Sequence, residues 1–146
     1  MTVARVFRRR FTLFGCLVLC LAAAGCGDPP VAPTPVPFSQ ADVSIGTGTE
    51  AAAGRVLTVN YTAWLYDETK PDRKGLMVDS SVNGTFSFTL GIAQVIAGWD
   101  QGLASMKVGG TRRLVIPSSL AYGSVRRGPI PPFATLLFEV ELLNVQ

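Results

Sequence analysis

Apolar and polar residues alternate with a period of two at several places in this chain, and that pattern dictates a sheet with one face turned to a core. Leu57, Val59, Tyr61, Ala63 and Leu65 alternate with Thr58, Asn60, Thr62 and Trp64, which predicts a long half-buried strand. Phe86, Phe88 and Leu90 alternate with Ser87 and Thr89. Leu136, Phe138, Val140 and Leu142 form the inner face of a last strand, with Glu139 and Glu141 outward. Thr111 to Ile116 reads as a further strand, ended by Pro117. Between these, Trp99, Leu103 and Met106 fall at helical spacing, so a short helix with one apolar face is predicted from about Gly98 to Met106. Asp67 to Gly75 is charged and rich in turn residues, hence a surface loop. Many antiparallel strands and one short helix give an α+β domain, a curved antiparallel β-sheet wrapped around one short α-helix. The chain of 146 residues suffices for one such domain with one core.

The N-terminal quarter follows different rules. Arg5, Arg8, Arg9 and Arg10 precede an apolar run from Phe11 to Ala24, which is too short for the roughly 20 residues of a spanning helix. A basic start, an apolar run and small residues before a boundary predict a secretory signal peptide over residues 1–25. Ala23-Ala24-Gly25-Cys26 resembles a bacterial lipobox, which makes Cys26 the acylated first residue of the mature chain. Ala23 stands where such boxes usually carry Leu, and an ordinary signal peptide with an incidental cysteine is the alternative. Export by the general or the twin-arginine route stays open. Residues 26–38 carry Pro29, Pro30, Pro33, Pro35 and Pro37, a linker of extended polyproline type; a dozen such residues reach roughly 35–40 Å. The domain proper is expected over residues 39–146, tethered to a membrane on its periplasmic or extracytoplasmic side. Gly27 in place of an acidic residue favours the outer membrane.

The formal charge of +3 suggests nucleic acid only until the charges are located. From Cys26 onward nine Lys and Arg stand against ten Asp and Glu, so the domain has no general attraction for phosphate backbones. No nucleic-acid partner is expected. The chain has no histidine, and its cysteines, Cys16, Cys20 and Cys26, all lie near the N-terminus. Triads built on Ser-His or Cys-His are therefore excluded. The carboxylates are scattered, so no metal site or cofactor is expected, and no phosphate-cradling glycine loop precedes a helix. Asp79, between Val78 and Ser80, reads from composition as a turn or capping aspartate. What remains is an apolar cluster, Val95-Ile96-Ala97-Gly98-Trp99 with Ala121-Tyr122-Gly123, suited to binding or to chemistry that breaks no covalent bond.

Several segments taken together carry a resemblance: Val59-Asn60-Tyr61-Thr62, Val78-Asp79-Ser80-Ser81, Phe86-Ser87-Phe88-Thr89-Leu90-Gly91, Val95-Ile96-Ala97-Gly98-Trp99, Ala121-Tyr122-Gly123, Ile130-Pro131-Pro132 and Ala134-Thr135-Leu136-Leu137-Phe138-Glu139-Val140-Glu141-Leu142-Leu143. In this order and spacing, from Val56 to Val145, the chain resembles the FKBP family of peptidyl-prolyl cis-trans isomerases, which bind macrolides of the tacrolimus type. The resemblance implies that Trp99 forms the pocket floor under a substrate proline ring. It implies walls from Tyr61, Phe86, Val95, Ile96 and Phe138, and hydrogen bonds to ligand carbonyls from the Ile96 amide and the Tyr122 hydroxyl. It further implies a polar contact from Asp79 at the pocket edge, with Ile130 on a loop closing over it. Phe88, Leu103, Leu136 and Val140 are expected to be core alone.

The implied activity is isomerisation of X-Pro bonds in folding exported proteins, with Pro-containing polypeptides as partners. A non-catalytic module holding Pro segments or macrolides is the alternative. No long amphipathic helix suggests dimerisation, so a monomer is expected. Four features depart from the family pattern: Val78 where Phe is common, Gln94 where an acid is common, a longer Asp67–Gly75 loop, and a slightly short Gly123–Phe133 loop carrying Arg126 and Arg127. They bear on the residue accepted before proline and on macrolide affinity.

Overall fold

The computed structural model describes residues 36–81 and 84–146. The expected signal segment, the acylated Cys26 and the linker as far as residue 35 lie outside the described residues. Six strands and one α-helix follow in order: β1 (Ser39–Ser44), β2 (Val56–Tyr66), β3 (Lys74–Ser80), β4 (Phe86–Thr89), α1 (Ala97–Gly102), β5 (Thr111–Ile116) and β6 (Leu136–Val145). They form one antiparallel sheet ordered β1-β5-β6-β2-β3, with β4 also paired to β2. The curved antiparallel sheet on one short helix agrees with the fold expected from the alternation.

One edge of β2 is shared by two strands. Val56 to Val59 pair with β4, whereas Thr62 to Tyr66 pair with β3. The gap falls near Tyr61, and Ser81 fills it: its hydroxyl accepts the Tyr61 amide at 2.8 Å, and its own amide donates to the Tyr61 carbonyl at 3.0 Å. The main-chain groups of Tyr61 stay paired where the ladder changes partner. Tyr61 is thereby fixed where the sheet opens.

The inner face carries the core. Leu57, Val59, Ala63, Leu114, Ile116, Leu136, Val140 and Leu142 are all buried, as are Phe88, Leu103 and Met106. The helix approaches this face through glycine. A Cβ on Gly98 would collide with the Ile116 side chain, and one on Gly102 would come within 2.6 Å of Leu114 Cδ2. The two glycines are four residues apart, on one helix face, and so let α1 lie directly on β5.

The helix ends earlier than the apolar spacing predicts, at Gly102 rather than Met106. Arg112 supplies the physical reason. This buried guanidinium donates through Nη1 to the carbonyls of Gly102 (2.9 Å) and Ala104 (3.0 Å), and through Nε to Asp42 (2.6 Å). Carbonyls that a longer helix would use internally are taken by a side chain of β5. Ser105 then turns the chain with φ 62°, so Leu103 and Met106 reach the core from a turn.

Two strands lack the alternation that revealed the others. Every residue of β1 is exposed, and β3 is only partly buried. Lys74 and Gly75, read from sequence as loop, open β3. On the outer face Glu139 accepts from Lys74 Nζ (2.9 Å) and Arg113 Nη2 (2.8 Å), tying β6 to both sides of the sheet. Burial pushes the Glu139 carboxyl up, but the hydrogen bonds from Arg113 and Lys74 prevail and hold it below the usual carboxylate range.

Candidate functional site

The segment leading into α1 is built by side chains that reach back to main chain. Asp100, in the first turn of the helix, accepts the amides of Gly91 (2.8 Å) and Ala93 (3.1 Å). Gln94 accepts the amide of Thr89 at 2.7 Å. These bonds fold residues 91–95 back on the end of β4 and fix Val95 and Ile96 beside the helix start. The carbonyl of Ile96 accepts the amide of Trp99 at 2.9 Å. Its own N–H has no partner among the described residues.

Trp99 points inward from α1 and is 4% exposed. Its ring meets Tyr61 edge-on at 5.1 Å between centroids, Phe138 at 5.5 Å and Phe86 at 6.0 Å, with interplanar angles of 76–83°. Phe88 lies behind at 5.5 Å. Edge-to-face packing of this kind adds about 0.5–1.5 kcal/mol per pair beyond area burial. The Trp99 indole N–H is buried without a hydrogen-bond partner among the described residues.

Above this floor opens a cleft of about 530 Å³, lined by Tyr61, Asp79, Phe86, Gln94, Val95, Ile96, Ala97, Trp99, Ala121, Tyr122, Arg127 and Phe138. Eight of the nine residues named from the resemblance thus share one cavity. The exception is Ile130, which is buried on the following loop and does not line the cleft. Asp79 sits in β3 rather than in a turn, and its Oδ2 accepts the Tyr61 hydroxyl at 2.8 Å. Burial first, then this hydrogen bond and the Asp79 charge, push the Tyr61 phenol up to about 12. Tyr61 therefore stays neutral and committed to Asp79. The Tyr122 hydroxyl, in contrast, has no partner among the described residues.

Sequence reasoning missed Asp100 as the residue that shapes the cleft wall. An acid in the first turn of the helix is the signal that points to it. Arg127 was noted on its loop but not placed in the lining; its guanidinium lies 5.6 Å from the centroid of the Tyr122 ring. A second hollow, of about 570 Å³, lies over the outer face beside Glu139 and Glu141 and contains none of these aromatics apart from Tyr61. Chemically the first cleft has an aromatic floor, and its lining includes the Ile96 N–H and Tyr122 O–H, unpartnered among the described residues.

Residues 48–143 match the family model of the FKBP-type peptidyl-prolyl cis-trans isomerase. The FK506-binding protein of Neisseria meningitidis serogroup B is 49% identical over 107 residues, covering 71% of this chain and 92% of its own. The chain is an FKBP-family protein.

Solved structures share the fold. FkpA from Escherichia coli superposes with a TM-score of 0.64 at 38% identity, over 75% of this chain and 48% of that one. A peptidyl-prolyl cis-trans isomerase from Pseudomonas syringae pv. tomato gives 0.61 at 36% identity, over 75% of each chain. Homologous FKBP-type proteins are peptidyl-prolyl cis-trans isomerases.

Proposed function

We propose that this FKBP domain accelerates cis-trans isomerisation of X-Pro bonds by binding the twisted amide in the Trp99 cleft. One observation carries the reading: Tyr61, Phe86 and Phe138 pack edge-on around Trp99 in the cleft lining, while the Ile96 N–H and Tyr122 O–H of the same lining have no partner among the described residues. Rotation about an amide costs about 18–20 kcal/mol because twisting destroys resonance, so X-Pro bonds exchange over tens to hundreds of seconds in water. A twisted amide has less charge separation than a planar one, and an apolar cleft therefore favours the transition state over the ground state. Trp99 supports the proline ring, with Tyr61, Phe86, Val95 and Phe138 around it. Ile96 and Tyr122 hold ligand carbonyls. Each tenfold of rate requires only about 1.4 kcal/mol of such preference. No acid, base or nucleophile is needed, in agreement with a chain without histidine.

The substrates of this reading are Pro-containing chains folding after export. The basic and apolar segment 1–25, Cys26 after Gly25, and the Pro-rich stretch that follows support a lipid-anchored protein in the periplasm or on the extracytoplasmic side. Similarity to a relative named for FK506 supports macrolide binding in the same cleft. The reading is tested by NMR exchange on a short X-Pro peptide: line broadening or exchange peaks at catalytic protein concentration, abolished by macrolide, are expected. A folded protein that leaves exchange at the uncatalysed rate would overturn it. For the anchor, mass spectrometry of the cell-expressed chain is expected to show diacyl or triacyl modification of Cys26, lost in Cys26→Ala; an unmodified Cys26 overturns the anchor alone.

A further inference from the structure

Among the described residues, four cations are held by hydrogen bonds or ion pairs. Arg112 is paired with Asp42, Arg113 and Lys74 with Glu139, and Arg73 donates to the Glu68 carbonyl. Arg127 differs. It lines the cleft, it lies over the Tyr122 ring, and it has no acidic partner among the described residues. Its loop is held by main-chain bonds between Arg127 and Ile130, at 3.0 and 2.9 Å, so its position is set by the backbone. The other charge in the lining, Asp79, already accepts the Tyr61 hydroxyl. The lining therefore carries one cation without an acidic partner among the described residues, Arg127, and one carboxylate that already accepts a hydrogen bond, Asp79.

We infer that Arg127 is a specificity-determining residue, which selects polypeptides carrying an acidic side chain on one flank of the proline. The inference rests on the isomerase reading for its kinetic form, but not for its binding form. A carboxylate that meets a guanidinium at an open cleft mouth gains up to about fivefold in affinity, the scale of an exposed ion pair. Cation–π contact with Tyr122 restrains the guanidinium without neutralising its charge, so that gain is not offset by an existing partner.

The experiment uses two peptide series, with Glu, Gln or Lys directly before or directly after a single proline. Equilibrium binding and cis-trans exchange are both measured. In one of the series, Glu is expected to exceed Gln by about fivefold at low salt, with Lys the weakest. The bias is expected to fade at 1 M salt, where screening acts within about 3 Å. Arg127→Gln removes the bias and Arg127→Lys retains it, since charge rather than planarity carries it. Arg126→Gln, an equal change of net charge outside the lining, leaves the bias in place. Equal binding of Glu and Gln peptides in both series, or a bias that survives Arg127→Gln, overturns the inference. Bias in binding without faster exchange overturns the isomerase reading and leaves this one standing.

Discussion

The Tyr61 hydroxyl donates to Asp79 Oδ2 at 2.8 Å, across the paired strands β2 and β3. This bond uses up one of the two tyrosine hydroxyls of the cleft and leaves Tyr122 free to bind. It also gives Tyr61 a pH signature. The folded phenol titrates near 12 rather than its ordinary 10, chiefly through burial and then through Asp79. Because the folded state holds its proton more tightly, the contribution to stability is complete below pH 10 and is lost as pH rises from 10 to 12. Two units correspond to about 2.7 kcal/mol, and partial exposure of the ring reduces this to about 1–2 kcal/mol. Denaturant unfolding at pH 9 and pH 12 is expected to show that loss in the wild type and to show it diminished in Tyr61→Phe. An equal loss in both proteins would remove the assignment to Tyr61.

Gly98 sets how closely the helix approaches the sheet. Its missing side chain is replaced by Ile116, so Gly98→Ala must displace either the helix or that isoleucine. Overpacking of this kind costs about 1–3 kcal/mol, although alanine is the better helix former by about 1 kcal/mol. A lowered midpoint of thermal unfolding is expected, together with weakened peptide binding, because Trp99 is the next residue.

Arg112 holds the end of α1 to β1 and β5. In Arg112→Met the Gly102 and Ala104 carbonyls and the Asp42 carboxylate lose their donors. Breaking such a buried pair costs about 3–5 kcal/mol, and Asp42, itself partly exposed, places the expected loss at the lower end. Chemical denaturation measures it. A change below about 0.5 kcal/mol, the level of an ordinary surface substitution, would contradict the structural role.

Phe133 has φ 61° and is 72% exposed, held by its amide to the Gly123 carbonyl at 2.8 Å. A bulky residue in the left-handed region is strained, and Asn tolerates it far better. Phe133→Asn is therefore expected to raise stability by about 1 kcal/mol, since little apolar contact is lost. Thermal unfolding checks the sign; a destabilised Phe133→Asn would show that the ring makes contacts worth more than the strain.

The sheet was legible wherever one face of a strand is buried and the other is wet. That condition holds for β2, β5 and β6, whose burial alternates in whole or in large part. It fails for β1, exposed throughout, so its place beside β5 rests on main-chain pairing that leaves no mark on hydropathy. The helix was legible in position through Trp99, but its end was not, because Arg112 comes from a strand ten residues beyond Gly102 and long-range capping has no local signature. Eight cleft residues were found through resemblance, since an aromatic in a strand looks the same whether it faces a core or a ligand. Ile130 came by the same route; it is buried on the loop that follows Tyr122 and is not among the residues lining the cleft.

If an apolar cleft with a hydroxyl donor performs the isomerisation without acid–base chemistry, kcat/KM on one X-Pro peptide measured from pH 6 to 9 will show it. Wild type, Trp99→Leu, Tyr122→Phe and Asp79→Ala are compared, each confirmed folded. The chain has no histidine, the side chain that ordinarily titrates in this range, and a flat wild-type profile is expected. Trp99→Leu is expected to lose about tenfold or more, and Tyr122→Phe about three- to tenfold, the scale of one hydrogen bond. A steep pH dependence, or a strong loss confined to Asp79→Ala with Trp99→Leu and Tyr122→Phe near wild type, would contradict the account.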